Sequence, residues 1–311
     1  MLNPSKFLGA DSWVLENDHL SVVVLPAFGG KIGSIYDKKA DFELLFQNPK
    51  TAFTPAPPYA DFSQYEACGF DDAFPGVDAE TVTVGGKTVD YPDHGEIWTS
   101  QMEATAVGDC LHLAFTSPIL GYVYKKTVYL DGQSVVVDYH ITNPTDVEIP
   151  AIWTCHCLVN WEDGMKILMP QGVDMVENTF AGKWLGEAKA KLSYPVAQTL
   201  QGTLDLRKMP PDDCLKFYAT QAVEQGYCAY EYPNAKVRAT FSYDREKLPY
   251  LGLWATSGGF RGDKNCALEP STGYYDSVNL AQKYGRCSAL PPRGTMEFSL
   301  KISLFGLLSD V

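Results

Sequence analysis

Positive charge is scarce in this sequence. Against 38 Asp and Glu it sets 25 Lys and Arg, a formal charge of −13. An acidic surface repels phosphate backbones and anionic lipid, so nucleic-acid and membrane partners are not expected. Also missing is any apolar run that approaches a membrane-spanning length. Residues 1–18 lack the basic start and continuous apolar stretch of a secretion signal. The eight cysteines, at positions 68, 110, 155, 157, 214, 228, 266 and 287, show no C-x-x-C spacing. Together these absences lead to the expectation of a cytoplasmic protein with reduced, mostly buried thiols. There is no internal repeat, low-complexity tract or linker that would split the chain, so residues 1–311 are expected to form one domain. Helical periodicity is rare too; the best case is "YDSVNLAQKYG", residues 275–285, ending at Gly285.

What the sequence has in abundance is period-two alternation and β-branched runs. Residues 19–25, 31–36, 110–115, 122–130, 133–143, 149–159, 237–243, 250–256 and 295–305 all read as strands. Gly29-Gly30, Asp131-Gly132 and Asn143-Pro144 supply turn signals between them. Many short strands at close spacing predict an all-β fold, one large antiparallel β-sandwich. The stretch 171–226 is the least readable. Residues 47–90, rich in proline and aromatics, read as a long ordered loop, and such loops often carry function.

Glu269 stands out first. It ends the apolar run Ala267-Leu268 and precedes Pro270, and a carboxylate at the end of a buried strand needs a partner or a use. Among the five histidines, His19, His112 and His140 read as surface or satisfied core residues. His94 sits in the turn "YPDHGEIW"; if the chain after it is extended, His94, Glu96 and Trp98 share a face, as a metal edge or a sugar-binding wall would require. His156 lies in "AIWTCHCLVNW". Alternation puts Trp153, Cys155 and Cys157 on one side and His156 with Thr154 and Leu158 on the other, which separates the thiols from the imidazole.

The order of "PDHGE", "IWTCHCLVNWEDGMKILMP" and "ALEPSTGYYDSVNLA" resembles that of the aldose 1-epimerases, or galactose mutarotases, in a divergent branch. "LSVVVLPAFGGKIGSIYDKKADFELLF", "YEACGFDDAFPGV", "VVVDYHITNPTDVEIPAIWTCH", "LPYLGLWATSGGF" and "LPPRGTMEFSLKISL" are similar to further segments of that family. The resemblance covers most of the chain outside residues 171–227. The Gly-Arg…Asn-Arg segment ahead of the first histidine in ordinary galactose mutarotases has no counterpart here, which argues against a preference for galactose. The resemblance implies a mutarotase-like supersandwich, a small-molecule carbohydrate substrate, no cofactor and no catalytic metal, in a monomer or homodimer. By the same resemblance Glu269 takes the proton of the C1 hydroxyl, His156 protonates the ring oxygen, and His94 hydrogen-bonds the sugar. Burial would raise the Glu269 pKa and make it a stronger base.

Position alone nominates Glu96, Trp98, Asp72 and Trp254 for contacts to the sugar hydroxyls and ring faces, although Asp71 or Asp72 could instead cap a turn. Trp153, facing away from His156, is the weakest such candidate. One rival is a metal-dependent sugar isomerase or lyase using His94, Glu96, His156 and Glu269. A non-catalytic carbohydrate-binding protein is the other. The neighbours of the two histidines, Asp93, Glu96, Glu162 and Asp163, are acidic, which favours a neutral aldose over a sugar phosphate. Lys31, Lys125, Arg261 and Arg286 would have to converge in the fold to reverse that expectation.

Overall fold

The computed structural model describes residues 1–47, 50 and 52–307. Two large antiparallel sheets dominate it, one of 13 strands and one of 8. The smaller sheet is built from well-alternating strands. Val237–Tyr243, for example, alternates buried and half-buried positions along its whole length, which is the signature of a strand with one covered face. Tyr124 and Tyr139 of this sheet meet Trp153, just ahead of the strand Thr154–Cys157 of the larger one: the Trp153 indole donates to Tyr124 Oη at 3.0 Å, and its ring lies 4.8 Å from Tyr139. One continuous apolar core joins both sheets. Each large side chain sealed there contributes about 1.5–3 kcal/mol. The result is the antiparallel β-sandwich that the alternation predicts.

The expected strand over 149–159 is broken. Ile149–Ala151 pairs with Ser288–Leu290 in a small separate sheet, and Thr154–Cys157 enters the large one. Between them the backbone changes partners: Ile152 N bonds Pro75 O at 2.7 Å and Trp153 N bonds Thr272 Oγ1 at 2.9 Å. The expected helix is shorter than its pattern. It spans Val278–Lys283, capped by Ser277, whose Oγ accepts from Leu280 N at 3.1 Å.

Residues 171–226 hold five short strands, among them Met175–Asn178 and Cys214–Ala219, both in the large sheet. The long segment 47–90 is less irregular than its proline content predicts. Phe70–Ala73 is a strand of the large sheet, and Glu80–Val84 pairs with Lys87–Tyr91. Gly85 and Gly86, at φ 57° and 77°, make the tight turn between the latter two, a conformation that requires left-handed residues at both positions. Residues 48, 49 and 51 of this segment lie outside the described residues.

Candidate active site

Strand register builds the site. In the large sheet the strands Phe70–Ala73, Thr154–Cys157, Lys264–Ser271, Tyr250–Ser257, Cys214–Ala219 and Met175–Asn178 lie side by side. Asp71 is paired with His156, Glu269 with Gly252, Gly252 with Tyr218, and Tyr218 with Glu177. The pairs Thr154↔Ser271 and Val159↔Cys266 share one register, and it sets His156 opposite Glu269. Asp71, His156, Glu269, Gly252, Tyr218 and Glu177 therefore form a single row across six strands. All point to the same face, because side chains alternate along each strand. The opposite face carries Trp153, Cys155 and Cys157 into the core. All eight cysteines are free.

Gly252 is in the row for a reason of space. A Cβ there would come within 2.9 Å of the Tyr218 ring and 3.1 Å of Glu269 Oε2. Any larger residue would push against the carboxylate.

A cavity of about 240 Å³ opens over this row. His94 and His156 line it, their rings 4.8 Å apart and edge to face. Phe62 stacks on His94 at 4.1 Å and sets its edge against His156 at 5.0 Å. Trp254, Lys216 and Asp276 complete the wall relevant to the chemistry. His94 stands in a left-handed turn, at φ 56°, fixed by its own N–H bond to Val77 O at 2.7 Å. Its Nδ1 meets Asp93 Oδ1 at 2.8 Å, which leaves Nε2 for the cavity.

Glu269 is fully buried and does not line the cavity. Lys216 does, with its ammonium 3.4 Å from Glu269 Oε2 and 3.0 Å from Asp276 Oδ1. The first contact is an ion pair without hydrogen-bond geometry: neither Glu269 oxygen has a hydrogen-bond partner among the described residues. Asp276 Oδ1 also accepts from Tyr218 Oη at 2.9 Å. Burial pushes the Glu269 carboxyl up to about 7, against the opposing pull of Lys216. His156 is held well below the ordinary histidine value, first by burial and then by His94, Lys216 and Lys31. Lys216 is also buried, yet Asp276 and Glu269 outweigh that and raise its pKa, so it stays an ammonium.

The structure brings together His94, His156, Glu269 and Trp254 of the expected residues. Glu96, Trp98 and Asp72 do not line the cavity. The chain after His94 is a turn, with Gly95 at φ 76°, so the supposed shared face does not form. Glu96 instead accepts from Ser117 Oγ at 2.7 Å, away from the cavity. The Trp98 indole donates to Asp93 O at 2.7 Å and backs Phe62 at 5.0 Å. Asp72 is on the core face, bonded to Lys126 at 2.5 Å and Tyr139 at 2.8 Å. With Glu96 turned away, the two-His, two-carboxylate set is not assembled. No group of three or more His, Cys, Asp or Glu among the described residues is arranged to hold a metal ion. His112 and His140 sit on the outer face of the smaller sheet, beside Thr127 at 3.0 Å and Glu297 at 2.6 Å.

Sequence reasoning missed Lys216, Asp276 and Phe62. Phe62, Ala67, Val77 and Asp78 of the long segment 47–90 all line the cavity. Lys31, Lys125, Arg261 and Arg286 do not.

No helix among the described residues is long and apolar enough to cross a membrane. No family model and no curated protein matches the chain. Solved structures do. A protein of Synechocystis sp. superposes with a TM-score of 0.74 at 16% identity, over 97% of both chains. A galactose mutarotase related enzyme from Lactobacillus acidophilus gives 0.69 at 12% identity, over 96% of this chain and 99% of that one. For a galactose mutarotase-like protein from Clostridium acetobutylicum the values are 0.68 and 16%, over 99% of both. At such identities the likeness is one of fold, and this chain has the galactose mutarotase-like fold.

Proposed function

We propose that this protein is an aldose 1-epimerase-like isomerase, which interconverts the anomers of a sugar by opening and reclosing its hemiacetal ring. The observation that carries this reading is the row itself: strand register sets Glu269 and His156 at the same level, and His94 stands 4.8 Å from His156 beside the cavity.

Ring opening moves two protons. The C1 hydroxyl gives one to Glu269, and the ring oxygen takes one from His156. Rotation about C1–C2 presents the other face of the aldehyde, and closure reverses both transfers. The working pair thus holds one proton between carboxyl and imidazole. In the free protein burial favours the uncharged arrangement, with the proton on Glu269. Sugar hydroxyls and the nearby Lys216 ammonium would stabilise the charged arrangement, in which Glu269 is base and imidazolium is acid. For a sugar to meet Glu269, the Lys216 ammonium has to shift toward Asp276, a short movement for a flexible four-carbon stem.

Asp78, Asp93 and Asp276 line the cavity, and its one lysine is already paired. This favours a neutral sugar over a phosphate ester. A carbohydrate-binding protein without catalysis is the second reading, favoured by the position of Lys216 in front of Glu269. NMR exchange between the anomers of free aldoses separates the two. Catalysed exchange supports the isomerase; saturable sugar binding without exchange supports the binder.

A further inference from the structure

Two buried polar atoms without a hydrogen-bond partner stand on directly paired residues: Asp71 Oδ1 and His156 Nδ1. Both side chains leave the same face of the sheet, and directly opposed residues begin about 4.5–5.5 Å apart at Cβ. The other Asp71 oxygen is fixed. Lys31 binds Oδ2, and the same ammonium bonds Cys68 O at 2.8 Å. Asp71 is therefore anchored on one oxygen with the second turned free. Unpaired buried groups are rare in native proteins, and each needs a physical explanation. Here an unpartnered acceptor and an unpartnered ring nitrogen stand on paired residues at one level of the row.

We propose, on the reading of His156 as the proton donor to the ring oxygen, that Asp71 is its positioning residue. Asp71 Oδ1 accepts the Nδ1 proton of His156, directly or through a single water, so that Nε2 is the nitrogen exposed to the sugar. Neutral His156 then carries its proton on Nδ1. When Nε2 gains the proton it will give to the ring oxygen, Asp71 faces the new positive charge. Lys31, bound to the other Asp71 oxygen, opposes the upward push of burial on this carboxyl; the transferred proton returns to Nε2 on ring closure and does not pass to Asp71. Asp72 cannot stand in, because its side chain is on the core face with Lys126 and Tyr139. The remaining groups around His156 are cationic or shared with the reaction: Lys31 along the row, Lys216 and His94 beside the cavity, and Glu269 opposite. Asp71 is thus the one carboxylate of this set held apart from the substrate by the ring it would orient.

The test is ¹⁵N NMR of histidine-labelled protein above the protonation range of His156. The expected spectrum has His156 as the Nδ1–H tautomer; an Nε2–H tautomer in the unmodified protein overturns the proposal. The double variant Lys31→Met/Asp71→Asn removes both charges of the buried pair together, so neither is left stranded. It is expected to move His156 toward Nε2–H and to slow anomer exchange by about tenfold or more, with KM changed less than about twofold. An unchanged Nδ1–H tautomer in the double variant also overturns the proposal, because some other group would then hold the proton. If the tautomers behave as expected but no free aldose is exchanged by the unmodified protein, the Asp71–His156 link stands and the isomerase reading fails.

Discussion

Two of the buried lysine–carboxylate groups at the large sheet, one on each face, differ in how completely they are satisfied. On the core face Asp72 has a donor for each oxygen: Lys126 at 2.5 Å and Tyr139 at 2.8 Å. On the cavity face Lys216 is shared between Asp276 at 3.0 Å and Glu269 at 3.4 Å, and both Glu269 oxygens are left without a hydrogen bond. The closed group has nothing left to offer a ligand. The open group has unused acceptors beside a cavity. Burial and charge are common to both, so neither marks the site; spare bonding capacity next to open space does.

The largest expected effect is a crossover between the two groups. Glu269→Gln should slow anomer exchange by about 100- to 10,000-fold, since the proton acceptor is gone. It should also stabilise the protein at pH 8. The Glu269 carboxyl titrates at about 7 in the fold against an ordinary 4.5. Between those values the unfolded chain is ionised and the folded one is not, so wild-type stability falls as pH rises through that window. Above it the burial costs on the order of 3 kcal/mol, which the glutamine variant does not bear. Asp72→Asn should do the reverse. It leaves Lys126 short of a counter-charge, with a loss of about 3–5 kcal/mol, while exchange per folded molecule is unchanged. Urea unfolding at pH 5 and pH 8, paired with exchange rates, checks both. Equal loss of exchange in the two variants would break the comparison.

A smaller effect is expected from the substrate's charge. Hexose 6-phosphates should be exchanged about tenfold or more slowly than the free hexoses, because Asp78, Asp93 and Asp276 face the cavity and Lys216 is already paired. Faster exchange of the phosphates would mean that Lys216 releases its carboxylates to the ligand, and the open group would then be a phosphate site.

Lys216→Met should change the pH dependence more than the peak rate. Only the singly protonated Glu269–His156 pair is productive, so kcat/KM should be bell-shaped. Its acid limb should lie below the ordinary histidine range, because His156 is held down. The alkaline limb should lie near pH 7, where Glu269 gives up the shared proton. These limbs belong to the pair and not to either residue alone. Lys216 pulls the Glu269 pKa downward, so its removal should move the alkaline limb up by on the order of one pH unit. An unmoved limb would show that the two groups are not coupled.

What was legible in the sequence follows the same division. The sandwich was legible because its longer strands alternate over six to twelve residues. His156 was placed correctly on the face opposite Cys155 and Cys157, since alternation inside Thr154–Cys157 is regular. Glu96 and Asp72 were misplaced for separate reasons. The chain at His94 and Gly95 turns where extension was assumed. Asp71 and Asp72 are adjacent, and only the strand Phe70–Ala73, hidden in a proline-rich segment, decides which of them faces the histidine. Lys216 was missed because 171–226 is cut into strands of three to six residues. A signal was present: in "CLKFYA" the lysine and Tyr218 alternate with Leu215 and Phe217, and a lysine within such an apolar run asks for a buried counter-charge. Its partners come from distant parts of the chain, so the sequence named the need without the answer.

Glu96 sharpens the comparison from between its two extremes, and it carries the smallest expected effect. Its Oε2 accepts from Ser117 at 2.7 Å, but Oε1 and the neighbouring Tyr122 hydroxyl are both buried without a partner. Burial raises its pKa, as it does for Glu269. If unsatisfied burial alone defined the site, Glu96 would belong to it. The residue does not line the cavity, however, and no ligand in that space would meet its free oxygen. Glu96→Gln should therefore keep anomer exchange within about twofold of the unmodified protein, since the amide keeps an acceptor for Ser117 and its uncharged form suits the buried position. Thermal unfolding should shift by no more than a few degrees, the equivalent of about 1 kcal/mol. A loss of exchange comparable to that of Glu269→Gln would mean that access to open space is not the deciding feature, and that the turn at His94 brings Glu96 to the sugar in a form of the protein other than this one.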